Sequence, residues 1–268
     1  MRSSVKAACV GAISLFMAEG FVRAQNCIPA ESPDDLIRKI TAAENEREHN
    51  LAGYTVTETY RVFNIGNDLS IGEGVAKTTY THGEGKTFKK LQPSGSAAAK
   101  YAIGRMLDEQ ELMSKPDARR KIIPTSENYV MHLLGPEDPQ PPPSICGIKL
   151  PAHTCVLGIN PKVPGPGVIG VGGYLWVDAT NHLVVRIQGK LSEPPKPWFV
   201  GLYVGHASVE RNYADFPDMN GYAMATSACS ITEESHFHKQ HKVKITYSDY
   251  HLLQLTGDQS SRTQAPGP

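Results

Sequence analysis

The sequence lacks a net charge. Its 268 residues carry 27 basic and 27 acidic side chains, so the formal charge at pH 7 is zero with histidine neutral. A balanced chain has no global field to attract nucleic acid, and we expect no nucleic-acid partner. The apolar run at residues 7–17 is too short to span a bilayer. We therefore expect peripheral or transient membrane contact at most.

Motifs for catalysis and metal binding are also scarce. The sequence has no G-x-S-x-G elbow for a serine nucleophile and no C-x-x-C pair for zinc. His236, His238 and His241 in "HFHKQH" are the grouping that could bind zinc or copper, and a metal-dependent enzyme is the least favoured hypothesis. A solvated hairpin explains these histidines better. We expect no enzyme activity, no catalytic residue, no metal and no cofactor.

One glycine motif needs a separate test. Gly165, Gly167 and Gly170 fit the dinucleotide pattern G-x-G-x-x-G. That loop must open a helix, with an acidic residue about twenty positions further on. Here "GYLWVD" follows, which is typical of a strand. The motif predicts a glycine- and proline-rich β-loop and no nucleotide site.

The N-terminus predicts export. Arg2 and Lys6 precede the apolar run, and Val22-Arg23-Ala24 has small residues at the −3 and −1 positions of a cleavage site. Residues 1–24 therefore resemble a secretory signal peptide. We expect a periplasmic or secreted protein with a single domain over 25–255 and a disordered tail over 256–268.

Cysteine usage fits an oxidising compartment. Four cysteines remain after removal of Cys9, and an even number in an exported chain favours disulfides over zinc. Three pairings are possible. We favour Cys146–Cys155, because "CGIKLPAHTC" forms a compact turn, and this leaves Cys27–Cys229.

The patterning predicts an antiparallel, mostly β chain with two helices in its first half. Ser32 and Pro33 are good residues for a helix start, and residues 97–114 have a helical pattern that Pro116 ends. Residues 54–63 alternate as a strand, 74–91 form two strands around Gly83-Glu84-Gly85, and 128–135 is another strand. Strand patterns separated by turns fill the chain after residue 153.

Several strands are apolar on one face and partly apolar on the other. This pattern suits a sheet that curves around a pocket or lies beneath helices, and it suits an ordinary sandwich core equally well.

The segments "GYTVTETYRV", "YVMHLLG", "HTCVLGINPK", "GYLWVDATNHLVVRIQGKL" and "VKITYSDYHLL" resemble the outer-membrane lipoprotein-sorting group, which are relatives of the periplasmic lipoprotein carrier. The resemblance spans roughly residues 30–253 as a pattern, and the Trp-containing hairpin "LWVDATNHLVVRIQG" is its most specific part. It implies a strongly curved, open half β-barrel covered by a few α-helices.

The resemblance also implies a function. The fold would hold lipid or lipoprotein acyl chains in an apolar cavity, and envelope proteins would be possible further partners. The alternative is an envelope structural or adaptor protein with a filled core, because a fold does not fix a function. The candidate cavity residues are Tyr54, Val56, Tyr60, Trp176, Trp198, Phe199, Tyr203, Tyr222 and Met224.

Overall fold

The computed structural model describes residues 32–90, 93–135, 138–139, 141–144, 146–162, 171–191, 204–216, 219, 222–234 and 239–253. The signal peptide, the tail, Cys27, Trp198, Phe199, Tyr203 and the glycine motif at 165–170 lie outside these residues.

The first half of the chain forms three helices. α1 (Pro33–Asn50) begins after Ser32, whose side chain accepts a hydrogen bond from the Asp35 backbone N–H, as the sequence predicts. α2 (Ala97–Ser114) begins in the same way after Ser96. Pro116 ends α2 as predicted, but it also begins a short helix that the sequence analysis missed, α3 (Pro116–Ile122).

The strands make one antiparallel sheet, as predicted. They are β1 (Gly53–Asn64), β2 (Ser70–Thr81), β3 (Gly85–Lys90), β4 (Ser94–Gly95), β5 (Tyr129–Leu133), β6 (Thr154–Pro161), β7 (Val171–Asp178), β8 (Val184–Leu191), β9 (Val204–Asp215), β10 (Ala223–Glu234) and β11 (Lys239–Leu252).

The sheet is open. Its strand order is β3-β2-β1-β11-β10-β9-β8-β7-β6-β5, with β4 pairing to β2. β3 and β5 are therefore its two edges. Most neighbours follow one another along the chain, and the exceptions among the described strands are β1, which pairs with β11, and β4, which pairs with β2. The predicted turn between β2 and β3 contains Gly83 and Gly85, both with positive φ, a conformation that glycine adopts without strain.

The sheet curves strongly. Tyr80 of β2 and Met224 of β10 are three strand spacings apart, which is roughly 14 Å along a flat sheet. Both are nevertheless buried in one cluster of packed side chains. The sheet must bend to bring them together. The predicted open, curved antiparallel sheet with a helical cover is confirmed.

The disulfide pairing favoured from the sequence is wrong. The structure joins Cys146 to Cys229, with their Cα atoms 6.0 Å apart. Cys155 is also disulfide-bonded, but its side chain packs with Val177 and α1 on the helix-covered face of the sheet. Cys229 pairs with Glu210, whose side chain faces the opposite side. The turn containing Cys146 runs over that opposite side, so Cys155 is out of its reach.

Candidate functional site

The face of the sheet that bears the helices is called the inner face. Under α1 it carries an apolar cluster in which Leu36, Ile37 and Ile40 pack against strand residues from β5 to β8. Leu157 and Leu175, which are opposite one another in the β6–β7 register, are fully buried there. We call this group the α1 cluster. It arises because α1 is amphipathic and its apolar side chains need an apolar surface to cover.

A second apolar cluster lies under α2. Ala99, Ile103 and Leu107 of α2 pack against Tyr60 and Val62 of β1 and their neighbours. Gly74 lets α2 approach closely, because a Cβ at this position would lie 3.2 Å from Ile103. The two helices thus cover separate parts of the same face.

Four of the predicted cavity residues meet in a third cluster. Val56 and Met224 are buried in it, and Tyr54 and Tyr222 pack against it partly buried. The Tyr54 ring lies 5.2 Å from the Tyr80 ring, centroid to centroid. Tyr60 belongs to the cluster under α2. The structure therefore brings four of the predicted residues together in one cluster of packed side chains and places Tyr60 in another.

Trp176 lies elsewhere. It packs with Val156 and Val185 on the opposite side of the sheet, which is called the outer face. The Arg186 guanidinium lies over its ring at 4.1 Å from the centroid. Because side chains alternate along a strand, Trp176 and its neighbour Leu175 point to opposite faces. Trp176 is therefore separated from the other described cavity residues.

The inner face also contains a buried ion pair that the sequence analysis missed. Glu58 is fully buried, and its Oε1 lies 3.5 Å from the Lys86 Nζ. The Tyr60 hydroxyl donates to the other Glu58 oxygen, and the Gln110 side-chain amide donates to Tyr60 at 3.1 Å. Burial, followed by Glu58, raises the pKa of Tyr60, so this hydroxyl remains a donor at neutral pH. The sequence signal for this ion pair was a charged residue, Glu58, on the strand face that also carries Tyr54, Val56 and Tyr60.

Charged side chains connect α1 to α3 and to the sheet. Glu44 of α1 lies 3.8 Å from Arg119 of α3. Arg47 of α1 approaches the Met224 sulfur at 3.8 Å and lies 5.7 Å from the centre of the Tyr213 ring. These contacts hold the C-terminal half of α1 over β9 and β10, while the α1 cluster holds its N-terminal half.

Two pockets lie along α1. One, of about 420 Å³, follows α1 from Asp34 to Asn45 and is also lined by Ser126. The other, of about 390 Å³, shares Thr41 and Asn45 with the first and lies between α1, α3 and the turn at His82 and Gly83. Both volumes are at the small end of the range for small-molecule sites. None of the predicted cavity residues that the structure describes lines either pocket.

The histidine grouping receives no structural support. Among the described residues, no three His, Cys, Asp or Glu side chains are placed to hold a metal ion. His236 and His238 lie outside the described residues, whereas His241 is buried on β11. In the described ranges, no helix has both the length and the apolarity needed to cross a bilayer.

The fold is similar to three solved structures. A LolA superfamily protein from Nitrosomonas europaea is 11% identical, with 83% of this chain and 96% of that chain covered at a TM-score of 0.46. A DUF1329 family protein from Desulfovibrio piger is also 11% identical, with coverages of 85% and 96% and a TM-score of 0.43. An outer membrane lipoprotein-sorting protein domain from Vibrio parahaemolyticus is 11% identical, with coverages of 85% and 97% and a TM-score of 0.42.

The names of the first and third structures agree with the resemblance stated from the sequence. No protein-family model matches the sequence, and no curated protein matches it.

Proposed function

We propose that the chain is an exported binding protein, without enzyme activity, that shelters lipid or lipoprotein acyl chains between the inner face and α1. The observation that carries this proposal is the division of the inner face into separate apolar clusters, each under its own helix. An acyl chain needs such a surface, since burial stabilises it by about 25 cal/mol per Å² of apolar area.

In this proposal α1 is the part of the cover that moves. Its N-terminal half contacts the sheet through Leu36, Ile37 and Ile40. If α1 lifts, the inward residues of β6 to β8 become an apolar surface of aliphatic side chains. An acyl chain could replace the three α1 side chains on that surface without breaking any strand pairing.

A specific observation favours the alternative of a structural or adaptor protein. Val56, Tyr60 and Met224 are at most 3% exposed and pack against other side chains. A filled interior of this kind needs no ligand. The two functions differ in one measurable property, the presence of bound lipid.

Native mass spectrometry of the full chain purified from cells is expected to show lipid bound to it. We expect a mature chain that begins at Gln25, which tests the signal peptide, together with added masses of acyl lipids. Delipidation should remove the added masses, and palmitate supplied afterwards should restore one. The inserted chain would cover apolar surface that α1 alone now covers.

The control is the same protein unfolded in denaturant, which should bind no palmitate. A bare chain that also fails to bind palmitate after refolding would favour the adaptor alternative. Bound lipid on a chain that keeps residues 1–24 would contradict the export and domain boundaries but not the binding.

A further inference from the structure

The second pocket, between α1 and α3, is lined largely by polar residues. Its volume is about 390 Å³. The polar residues that line it are Thr41, Asn45, His82, Arg120, Thr125 and Glu127. They come from α1, α3, the β2–β3 turn and the segment 123–128, so four separate parts of the chain meet around one space.

The segment 123–128 forms one side of this pocket and is held in place by hydrogen bonds. The Asn128 side-chain amide donates to the Arg120 and Ile123 carbonyl oxygens at 2.6 and 3.0 Å. The Ser126 N–H donates to the Thr41 Oγ1 at 3.3 Å, and Lys162 Nζ donates to the Ser126 carbonyl oxygen at 2.6 Å. These bonds fix this side of the pocket against α1 and β6.

Thr125 is the exception on this side of the pocket. Its side chain is 3% exposed, and its Oγ1 has no hydrogen-bond partner among the described residues. A buried hydroxyl without a partner destabilises the fold, because its desolvation is not offset by a hydrogen bond. The neighbouring backbone is already held by hydrogen bonds. A partner for the Thr125 hydroxyl can therefore be accommodated in the pocket that Thr125 lines.

The lining is rich in hydrogen-bond donors. Thr125, Arg120, His82 and Asn45 can all donate, and Thr41 can donate because its oxygen already accepts from Ser126. Glu127 is the one carboxylate among the described lining residues. Several donors with one guanidinium match a ligand with many acceptor oxygens and negative charge.

We propose that this pocket binds a phosphate group, and that the phosphate belongs to the amphiphile whose acyl chain lies beneath α1. The inference rests on the proposed function for the acyl chain. Thr41 and Asn45 line both pockets, so the phosphate site adjoins the groove along α1, and Ile37 of the α1 cluster lines that groove. Arg120 supplies the charge, and the Thr125 hydroxyl donates to a phosphate oxygen.

Three probes separate the sources of the phosphate. The full, delipidated chain is titrated with palmitoyl lysophosphatidic acid, with monopalmitoylglycerol and with glycerol 3-phosphate. The two acyl probes are kept below their micellar concentrations. We expect lysophosphatidic acid to bind about tenfold more tightly than monopalmitoylglycerol, because of charge-assisted hydrogen bonds to the phosphate. Thr125→Val and Arg120→Gln should each reduce this preference without weakening monopalmitoylglycerol binding.

Matched variants make the test specific. Thr125→Val is nearly isosteric, and thermal unfolding checks its fold; Arg120 is exposed, so Arg120→Gln tests the same site with little risk to folding. Arg38→Gln is the control, because Arg38 lines the adjacent groove and pairs with Asp35 at 2.6 Å. It should keep the preference.

The outcomes distinguish the two proposals. Equal binding of the two acyl probes, or a preference that survives both variants, overturns the phosphate site and leaves acyl binding standing. Binding of glycerol 3-phosphate alone supports the phosphate site and overturns the proposed acyl function. No binding of any probe overturns both.

Discussion

Arg186→Met is expected to lower the free energy of unfolding by about 3–5 kcal/mol, the loss typical when one partner of a buried ion pair is removed. Arg186 and Glu210 are 3% and 1% exposed, and the Arg186 Nε lies 3.2 Å from the Glu210 Oε1. These two atoms do not meet the geometry of a hydrogen bond, so their attraction is chiefly ionic. Burial lowers the pKa of Arg186, and Glu210 opposes that effect. Urea unfolding at neutral pH measures the loss.

The size of this effect follows from what Arg186 holds together. Its Nη2 donates to the carbonyl oxygens of Pro142 and Pro143 at 3.0 and 2.6 Å, and its guanidinium covers Trp176. Glu210 in turn accepts a hydrogen bond from Ser144 at 2.6 Å. Methionine leaves Glu210 buried with this one hydroxyl and releases the proline-rich segment from the outer face.

An exposed pair provides the matched control. Arg61 and Glu73 lie 3.3 Å apart, but their side chains are 59% and 44% exposed. Solvent screens such a pair, so Arg61→Met should cost less than about 1 kcal/mol. Similar losses in the two variants would refute the assignment of Arg186 as a buried anchor.

Cys146→Ala/Cys229→Ala is expected to cost about 2–5 kcal/mol of stability. The bond closes a loop with a sequence separation of 83 residues, and in the chain-entropy model a long loop gives a large stabilisation. The disulfide also fastens the proline-rich segment to β10. Hydrogen exchange should therefore accelerate more in the 141–150 segment than in the β1–β2 hairpin.

Peptide mapping under non-reducing conditions checks the bond itself. We expect one linked pair that contains Cys146 and Cys229. Cys155 should be linked to Cys27, the cysteine that remains once a signal peptide with Cys9 is removed. A Cys146–Cys155 peptide, or free thiols at Cys146 and Cys229, would contradict this assignment.

The sequence predicted those features whose signals are local. Ser32 and Pro33 act through a hydrogen bond and a φ angle within one turn, so the start of α1 was recognised. Gly83 and Gly85 marked the β2–β3 turn for the same reason. The strand after residue 170 was also predicted correctly, and a strand rather than a helix therefore follows the glycine motif.

What the sequence could not supply was the relation between distant strands. Arg186 and Glu210 are 24 positions apart, and only the β8–β9 register places them opposite one another on the outer face. The prediction of the disulfide pairing failed for a related reason. Proximity along the chain favoured Cys155 as the partner of Cys146, but these two cysteines lie on opposite faces of the sheet. Glu58 was a local signal, because it is a carboxylate on an apolar strand face, but its ion pair with Lys86 was not predicted.

Palmitate with a photoreactive diazirine near its chain end, bound to the delipidated full chain, tests whether the inner face of β6 to β8, beneath α1, holds an acyl chain. Because side chains alternate along each strand, every strand contains its own control. We expect labelling of Leu157, Leu175 or the apolar side chains of α1, and none of Val156 or Trp176. Labelling confined to Val156 and Trp176, or labelling no greater than in the denatured chain, would refute this site.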